Sequence, residues 1–529
     1  MPLNIWPHST QPSAAFRSPD HSQATESMSM ETNPLTTRPA RLATISSSSS
    51  SSSGVVRELL LLALKMSAIQ IAPLSAAIYL ATCMANLGPV QLSAYSLVSS
   101  TNFMVFLATM NSLQSLYYVG GKAIGEGQRV DYERAISAGV ALALRLAVLG
   151  CLISAGIGFA LDLLGFDPHV VRIATGVGLV GAIGIPPALV LVVYRVHAAL
   201  NGRAGFITLI TTGGAGIVCA VATVIVLWLA KKPDLAVVGV VAADVSTTWL
   251  MLAAAAISVR RLPELRFSTR LRKLLTVVHR PTMRVVVSLG WPVGAVVLLD
   301  SLASLVGQFL VGRFWLEALP VHAIVAMCTS VGIVIPVGIS LACVQHVAVL
   351  EAQRDWVGRN RVAAASIGLA LLYGLVVMAA FCTMPQSLGA AVLGSAFDAP
   401  RRALYDQLMV PGGIVLAFQS EIIIVAALYR GIGDTRTPLL VALVGYLIVA
   451  GGAQVLLAFG LGHGAPGIWW GLVIGFGAIA CVATLGIYQR LKLPPEMRQT
   501  SARASHGEAA LTHGLLARED AQVTGPVTR

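Results

Sequence analysis

Long apolar runs, separated by short polar segments, occupy the chain from about residue 57 to residue 490. A run of about 20 apolar residues crosses the hydrocarbon core of a bilayer, roughly 30 Å thick, as a single helix. Strands of a membrane barrel would be about half as long and would alternate apolar with polar residues. The runs do not alternate, so they predict twelve membrane-spanning helices, at about 58–82, 91–119, 137–161, 171–194, 206–230, 236–258, 286–311, 321–346, 362–384, 409–429, 438–461 and 467–488.

Polar segments set the boundaries of the predicted domains. Residues 1–54 are rich in Ser, Thr and Pro and contain no apolar core of a secretory signal, which predicts a disordered tail. Residues 491–529 predict a second disordered tail in the cytoplasm. The spans between the tails form an N-lobe at 55–258 and a C-lobe at 286–490, with six helices each, joined by a basic cytoplasmic loop at 259–285. The predicted fold class is an all-α polytopic membrane protein.

The two predicted lobes repeat each other. Gln128-Arg129, after the second span, matches Gln353-Arg354, after the eighth span, 225 residues later. Tyr194-Arg195, after the fourth span, matches Tyr429-Arg430, after the tenth span, 235 residues later. An even number of spans in each half predicts parallel repeats related by an axis along the membrane normal.

Charged residues are scarce and their distribution indicates membrane topology. They make up 11% of the chain, about half the share of a soluble domain, and the mean hydropathy is +0.77. The net charge of +12 comes from Lys and Arg in short loops and not from one continuous face, which argues against nucleic acid as a partner. These residues favour the side of the N-terminus, which predicts that both termini are cytoplasmic and that the lipid bilayer is the plasma (inner) membrane.

The sequence contains no signature of an enzyme. The phosphate-binding pattern GxxxxGK[ST], the zinc-binding pattern HExxH and a GxSxG turn are all missing from it. The seven cysteines lie in or beside apolar runs without a CxxC pair, as packing residues do. We therefore expect neither catalysis nor a cofactor, only a coupling ion, and a secondary transporter is the leading interpretation.

Several motifs resemble those of the multidrug and toxin extrusion (MATE) family, over residues 57–490. The segment Tyr429–Pro438, YRGIGDTRTP, is similar to the family's LRGxGDTRTP after its tenth helix. Gly467–Gly471, GIWWG, resembles the GxWxG that opens the family's last helix, and Leu289–Pro292, LGWP, resembles the start of its seventh helix. The resemblance implies a MATE-like fold of two six-helix lobes and an antiporter that exports small cationic or amphipathic compounds, such as drugs, toxins or metabolites, by alternating access in exchange for H⁺ or Na⁺.

Asp300 is the first candidate for the coupling site. An ionisable group at the centre of a membrane helix costs about 3 kcal/mol on insertion scales, so it is a functional candidate by default. Asp300 lies eight residues after Pro292, where MATE proteins commonly carry a glutamate that is implicated in cation or proton coupling. A carboxyl that only pairs with a neighbouring helix is the alternative.

Three further residues complete the predicted substrate- or ion-binding set. The family's usual acid in the tenth helix falls at Gln419 here, and Glu421 lies two residues further, about 200° around an ideal helix. Glu421 therefore faces a different cavity, lies in a locally unwound helix, or packs as an ion pair between helices. Asp244, in the sixth span, has no counterpart in the family pattern, and both function and buried pairing stay open. Leu80 replaces the acid that many bacterial members carry in the first helix, which argues against a proton switch confined to the N-lobe.

Other classes of membrane protein stay as alternatives. A flippase for lipid-linked saccharides or precursors of the same superfamily would favour a strongly cationic cavity, and a scaffold or receptor would need no buried acids. A major-facilitator transporter would carry a GxxxDrxGrr loop after its second span, which this sequence lacks. We expect a monomer that binds a small-molecule substrate. H⁺ is favoured over Na⁺ because no dense cluster of oxygen ligands stands out.

Overall fold

Helices make up nearly all of residues 52–261, 279–385 and 399–492, the part of the chain that this computed structural model describes. The predicted all-α fold is confirmed. Eleven helices in the described ranges are long and apolar enough to cross a membrane, and α2, broken at Gln114, completes the predicted twelve. The helices are α1 Ser52–Leu87, α2 Pro89–Leu113 continued by Ser115–Gly125, α3 Arg129–Leu163, α4 Pro168–Leu200, α5 Ala204–Trp228, α6 Pro233–Arg261, α7 Arg280–Phe314, α8 Leu319–Gly332 continued by Val334–Ala352, α9 Trp356–Thr383, α10 Ala399–Gly431, α11 Arg436–Gly460 and α12 Gly464–Lys492.

Most helices are longer than the predicted spans. Helix α1 begins at Ser52, inside the predicted tail, and α7 begins at Arg280, inside the predicted loop between the lobes. An apolar run marks only the hydrocarbon core, whereas a helix continues through the polar headgroup depth on either side. The rest of both predicted disordered tails and residues 262–278 of the basic loop lie outside the described residues.

Local signals explain where several helices begin. Proline at the first position of α4 follows Asp167, whose side chain accepts hydrogen bonds from the backbone N–H groups of His169 and Val170 at 2.8 and 3.3 Å. Asp355 caps α9 in the same way, accepting from the Gly358 N–H at 2.8 Å. Such caps satisfy donors that the first helical turn leaves unpaired.

The two lobes share an apolar core at one end of the bundle, which we call the basic end. It is the end at which α1 and α9 begin and α12 ends. Leu59 of α1 and Leu491 of α12 belong to the same core, and Arg359, at the start of α9, donates to the Leu491 carbonyl at 2.8 Å. The shared core joins the first half of α1, around Leu59 and Ala63, to the second half of α8, around Ile339 and Val347.

Close backbone contacts between the lobes at the basic end depend on small residues. A Cβ added to Gly338 of α8 would meet the carbonyl of Ala63 at 2.7 Å, and one added to Gly294 of α7 would meet that of Ala108 at 2.7 Å. Small residues allow membrane helices to approach closely. Three further glycines at this seam face the opposite lobe: Gly290 against Ser112, Gly121 against Ala348, and Gly125 against Ala352.

At the other end each lobe has a core of its own. Among the described residues, the second half of α1, from Ala76 to Met84, belongs to a cluster of buried N-lobe residues, and the first half of α8, from Val321 to Cys328, belongs to a cluster of buried C-lobe residues. A cavity of about 420 Å³ lies along the face of α7 that continues from Gly290 and Gly294; it is lined by Leu305, Gln308, Phe309, Gly312, Arg313 and Leu319. Among the described residues, the buried cores therefore join the two lobes at the basic end and stay separate at the opposite end.

Helix α11 departs from regular α-helical geometry. Residues Leu443–Ala450 and Leu456–Gly460 form π-helical turns on either side of a short α-helical segment, Gly451–Val455. Turns of this kind occur often at functional sites.

Candidate functional site

Asp300 lies in the interior of the C-lobe. It follows Pro292, which lies inside α7, by eight residues. Asp300, Ala303 and Gly307 share one face of α7, and this face packs against α11 and α12, where Gly307 meets Gln454 and Ile468. The seam between the lobes lies on a different face of the same helix, the one with Gly290 and Gly294. The carboxyl is thus separated from the seam by about a third of a helical turn.

Two neutral side chains hold the Asp300 carboxylate. The Gln419 amide, from α10, donates to its two oxygens at 3.4 and 3.2 Å. The Tyr446 hydroxyl, from the π-helical part of α11, lies beside the same carboxylate, within reach of an interaction with it. We call Asp300, Gln419 and Tyr446 the C-lobe site. The structure therefore brings together two of the predicted site residues, from helices 119 residues apart in sequence.

The C-lobe site is partly buried and has no compensating positive charge among the described residues. Tyr446 is 2% exposed, and no lysine, arginine or histidine among the described residues pairs with Asp300. A charge in the protein interior that has only neutral donors as partners is energetically unfavourable. Binding of one proton or cation neutralises this charge and removes the unfavourable energy. The arrangement suits reversible binding of a small cation.

Glu421 does not reach the C-lobe site. Its carboxylate accepts a hydrogen bond from the Thr484 hydroxyl of α12 at 2.8 Å. Helix α10 is regular from Ala399 to Gly431, so the locally unwound helix considered for this residue is wrong. The two-residue offset from Gln419 turns Glu421 toward the packing contact with α12, and a role for it in transport stays a prediction.

Asp244 lies in the other lobe, on α6. Its neighbours within electrostatic reach are Tyr95 of α2 and Cys219 of α5. No ion pair to Asp244 occurs among the described residues, so the buried pairing considered for it does not form there. The four predicted site residues thus occupy three separate places.

Sequence reasoning missed Tyr446. The sequence offered one indication: Tyr446 and Gln454 are the only residues in the run at 438–461 whose side chains can form hydrogen bonds. Gln454 is fully buried, and neither its amide nitrogen nor its amide oxygen finds a partner in the described structure. In the residues that the structure describes, no group of three or more His, Cys, Asp or Glu side chains could hold a metal ion.

At the basic end a polar contact crosses the seam. Arg430 of α10 donates a hydrogen bond to the side-chain oxygen of Gln114, at the break in α2. The ring of Tyr118, also from α2, packs on Gly433 in the turn after α10. The YRGIGDTRTP segment therefore helps to close the basic end.

Two six-helix lobes that share a core at one end, with an acid in a membrane-spanning helix of each lobe, are typical of a membrane transporter. Comparisons with known proteins agree with this class. The MatE family model matches residues 70–225. The chain is 26% identical over 414 residues to "Probable multidrug resistance protein NorM" of Rhizobium meliloti (strain 1021), a match that covers 77% of this chain and 87% of that one.

A second relative and a solved fold agree with this match. The protein of the same name in Bradyrhizobium diazoefficiens is 29% identical, with 74% of this chain and 84% of the relative covered. The solved structure "Outward-facing conformation of a multidrug resistance MATE family transporter of the MOP superfamily" superposes with a TM-score of 0.71 at 18% identity, over 83% of this chain and 97% of that one. The chain is therefore similar to these multidrug resistance proteins over most of its length, and it shares the fold of the solved MATE transporter.

Proposed function

We propose that this protein is an efflux antiporter that exports small cationic or amphipathic compounds in exchange for H⁺, with Asp300 as the coupling carboxylate. The observation that carries the proposal is the C-lobe site, where an acid inside a membrane-spanning helix has neutral side chains as its partners among the described residues. The names of the NorM relatives, which describe multidrug resistance, support export of small compounds.

The orientation follows from the basic residues. We place the basic end and both termini in the cytoplasm of a multi-pass protein of the plasma (inner) membrane, because Lys and Arg concentrate in cytoplasmic loops. The basic end, where the lobes share a core, then faces the cytoplasm, which supports an outward-open state. We expect the protein to act as a monomer in the bilayer.

Export requires the protein to alternate between two states. Opening the basic end would separate the glycine contacts, the shared core and the bond between Arg430 and Gln114, and it would expose the cleft to the cytoplasm. Protonation of Asp300 from outside neutralises the C-lobe site and weakens its hydrogen bonds with Gln419 and Tyr446. Proton binding thereby favours one state over the other, which is the requirement for coupling.

The geometry favours H⁺ over Na⁺. Two groups of the C-lobe site, the Gln419 amide and the Tyr446 hydroxyl, donate to the carboxylate and do not present oxygens to a metal ion. Sodium would need several oxygen ligands at once, as hard cations do. A proton needs only the carboxylate.

The proposal is tested in everted vesicles or proteoliposomes with a cationic dye and an imposed pH or Na⁺ gradient. We expect dye export to stop when the pH gradient is collapsed and to be indifferent to Na⁺. Export that persists without a pH gradient and stops without Na⁺ would reverse the ion assignment. No export of any cationic compound under either gradient would refute the antiport function.

A further inference from the structure

Two arginines lie at the seam between the lobes, one from each lobe. Arg430, near the end of α10, donates across the seam to the side chain of Gln114. Arg195, near the end of α4, occupies the matching position of the other repeat. It lies one turn before Ala199, whose carbonyl accepts a hydrogen bond at 2.8 Å from the Gln345 amide of α8. Both arginines therefore lie where the two lobes meet at the basic end.

The two guanidinium groups approach the same side chain. Tyr117 of α2 is 3% exposed, and it lies within electrostatic reach of both Arg195 and Arg430. The side-chain Nε atom of each arginine is buried and finds no hydrogen-bond partner in the described structure. The seam around Tyr117 thus holds two positive charges in a place with little access to water.

The carboxylates of the basic end do not neutralise these charges. No aspartate or glutamate among the described residues forms an ion pair with Arg195 or Arg430. The acids of the basic end pair with other bases: Glu126 with Lys122, Glu133 with Arg129, Asp131 with Arg134, Glu351 with Arg359, and Asp434 with Arg490. In the part of the chain that the structure describes, the two seam arginines therefore keep their full positive charge.

An uncompensated positive charge inside a protein repels any cation that approaches it. The repulsion is stronger there than in water, because the protein interior has a lower effective dielectric constant. A fixed arginine in a narrow pore excludes protons and other cations in this way. Two such charges lie at the seam, beside the apolar core that the lobes share.

From these placements we infer that Arg195 and Arg430 form a positively charged barrier, which stops H⁺ and other small cations from leaking between the lobes at the closed basic end. The inference goes beyond the proposed export function, because it concerns ions that move without an exported compound. A leak of this kind would dissipate the gradient that drives antiport.

The barrier depends on the state of the protein. Arg430 belongs to the C-lobe, whereas Arg195 and Tyr117 belong to the N-lobe, so opening the basic end carries Arg430 away from the other two. Opening also admits salt water, in which charges are screened over about 10 Å. The barrier is therefore strongest when the basic end is closed and weakest when a cation has to enter from the cytoplasm.

Ion leak without any exported compound tests this inference. The purified full-length protein is reconstituted into liposomes that contain the pH dye pyranine, a pH gradient is imposed, and K⁺ with valinomycin holds the membrane potential at zero. We expect Arg195→Gln and Arg430→Gln each to raise the protein-dependent proton leak by roughly tenfold, since each removes one of the two repelling charges. Arg195→Lys and Arg430→Lys keep the charge and should leak at the wild-type rate.

Two controls separate the charge from a loosened seam. Gln114→Leu removes the contact of Arg430 across the seam and keeps both charges, so its proton leak should stay at the wild-type rate. Chloride entry, followed with lucigenin inside the liposomes, should not rise in Arg195→Gln or Arg430→Gln. A seam that has merely loosened would pass ions of both signs.

A wild-type proton leak in Arg195→Gln, in Arg430→Gln and in the double variant would overturn the inference. A rise in chloride entry that matches the rise in proton leak would also overturn it, and so would a leak in Gln114→Leu as large as that in Arg430→Gln. If Arg430→Gln fails to fold, Arg195→Gln decides, because it leaves the bond between Arg430 and Gln114 in place. The dye-export experiment judges the antiport function separately, because the leak is measured without any exported compound.

Discussion

Arg430 and Gln114, 316 residues apart in sequence, form a hydrogen bond that joins the C-lobe to the N-lobe at the basic end. Arg430 is only 8% exposed, and its side-chain Nε has no partner in the described structure. A buried guanidinium without a carboxylate partner forms a weaker contact between the lobes than an ion pair would. The bond therefore stabilises the closed basic end and can still break when that end opens.

Strengthening this bond should slow transport. In Gln114→Glu both partners of the bond are charged, and a hydrogen bond between charged groups is roughly twice as strong as a neutral one. We expect the rate of dye export to fall by at least about tenfold while the thermal stability of the outward-open state rises. Gln353→Glu, at an exposed position of the same end, is the matched control. An unchanged export rate in Gln114→Glu would mean that this bond does not have to break during transport.

Asp300 should be indispensable for coupling. Asp300→Asn keeps the shape and hydrogen-bonding capacity of the side chain but removes the exchangeable charge. The protein should insert normally, because loss of a buried charge does not raise the insertion cost. Proton-driven dye export in proteoliposomes should vanish, whereas Asp300→Glu should retain a substantial part of it. Export against a gradient by Asp300→Asn, at normal expression, would make the carboxyl structural.

Tyr446 should set the pH range of transport. Its hydroxyl stabilises the charged form of Asp300, so Tyr446→Phe makes the carboxylate hold a proton more tightly. The midpoint of the pH profile of dye export should therefore move upward by about one pH unit, the size of one hydrogen bond to a charged group. Tyr488→Phe, exposed on α12, should leave the profile unchanged. A downward shift in Tyr446→Phe would contradict the proposed contact.

Gly433 should be needed to close the basic end. It has a φ of +81°, and an added Cβ would lie 2.6 Å from the Tyr118 ring of the other lobe. Gly433→Ala should lower the midpoint of thermal unfolding and increase labelling of single cysteines at the basic end from the cytoplasmic side. Gly127→Ala tests the effect of the left-handed backbone conformation alone, since Gly127 has a φ of +70° and an added Cβ would meet nothing within 4 Å. Equal effects of the two substitutions would show that the contact with Tyr118 is unimportant.

Cysteine labelling should locate the termini. Cysteines introduced at residues 20 and 515 should react only with reagents that enter the cytoplasm, whereas one near Asp398 should react with an impermeant reagent from outside. This result follows from the positive-inside distribution and an even number of spans. Labelling of the two termini from opposite sides would be incompatible with twelve spans.

The membrane spans and one acid could be predicted from sequence because each follows from a local rule. Twenty apolar residues suffice to identify a span, and Asp300 stands out because charge is expensive in lipid. The partner of Glu421 could be identified only from the structure. Gln419 and Glu421 are about 200° apart around the helix, so Gln419 contacts Asp300 whereas Glu421 contacts Thr484. Tyr446 was missed because its role depends on π-helical turns of α11 and on a partner in α7, which no local pattern encodes.

The shared apolar core at the basic end has a thermal consequence. Opening that end exposes side chains such as Leu59, Ala63 and Val347 to water, and exposure of apolar surface carries a positive heat-capacity change. The free-energy difference between the two states of the transporter must then depend on temperature along a curve and not along a straight line. An Arrhenius plot of turnover would bend for this reason, even in a bilayer without a phase transition of its own.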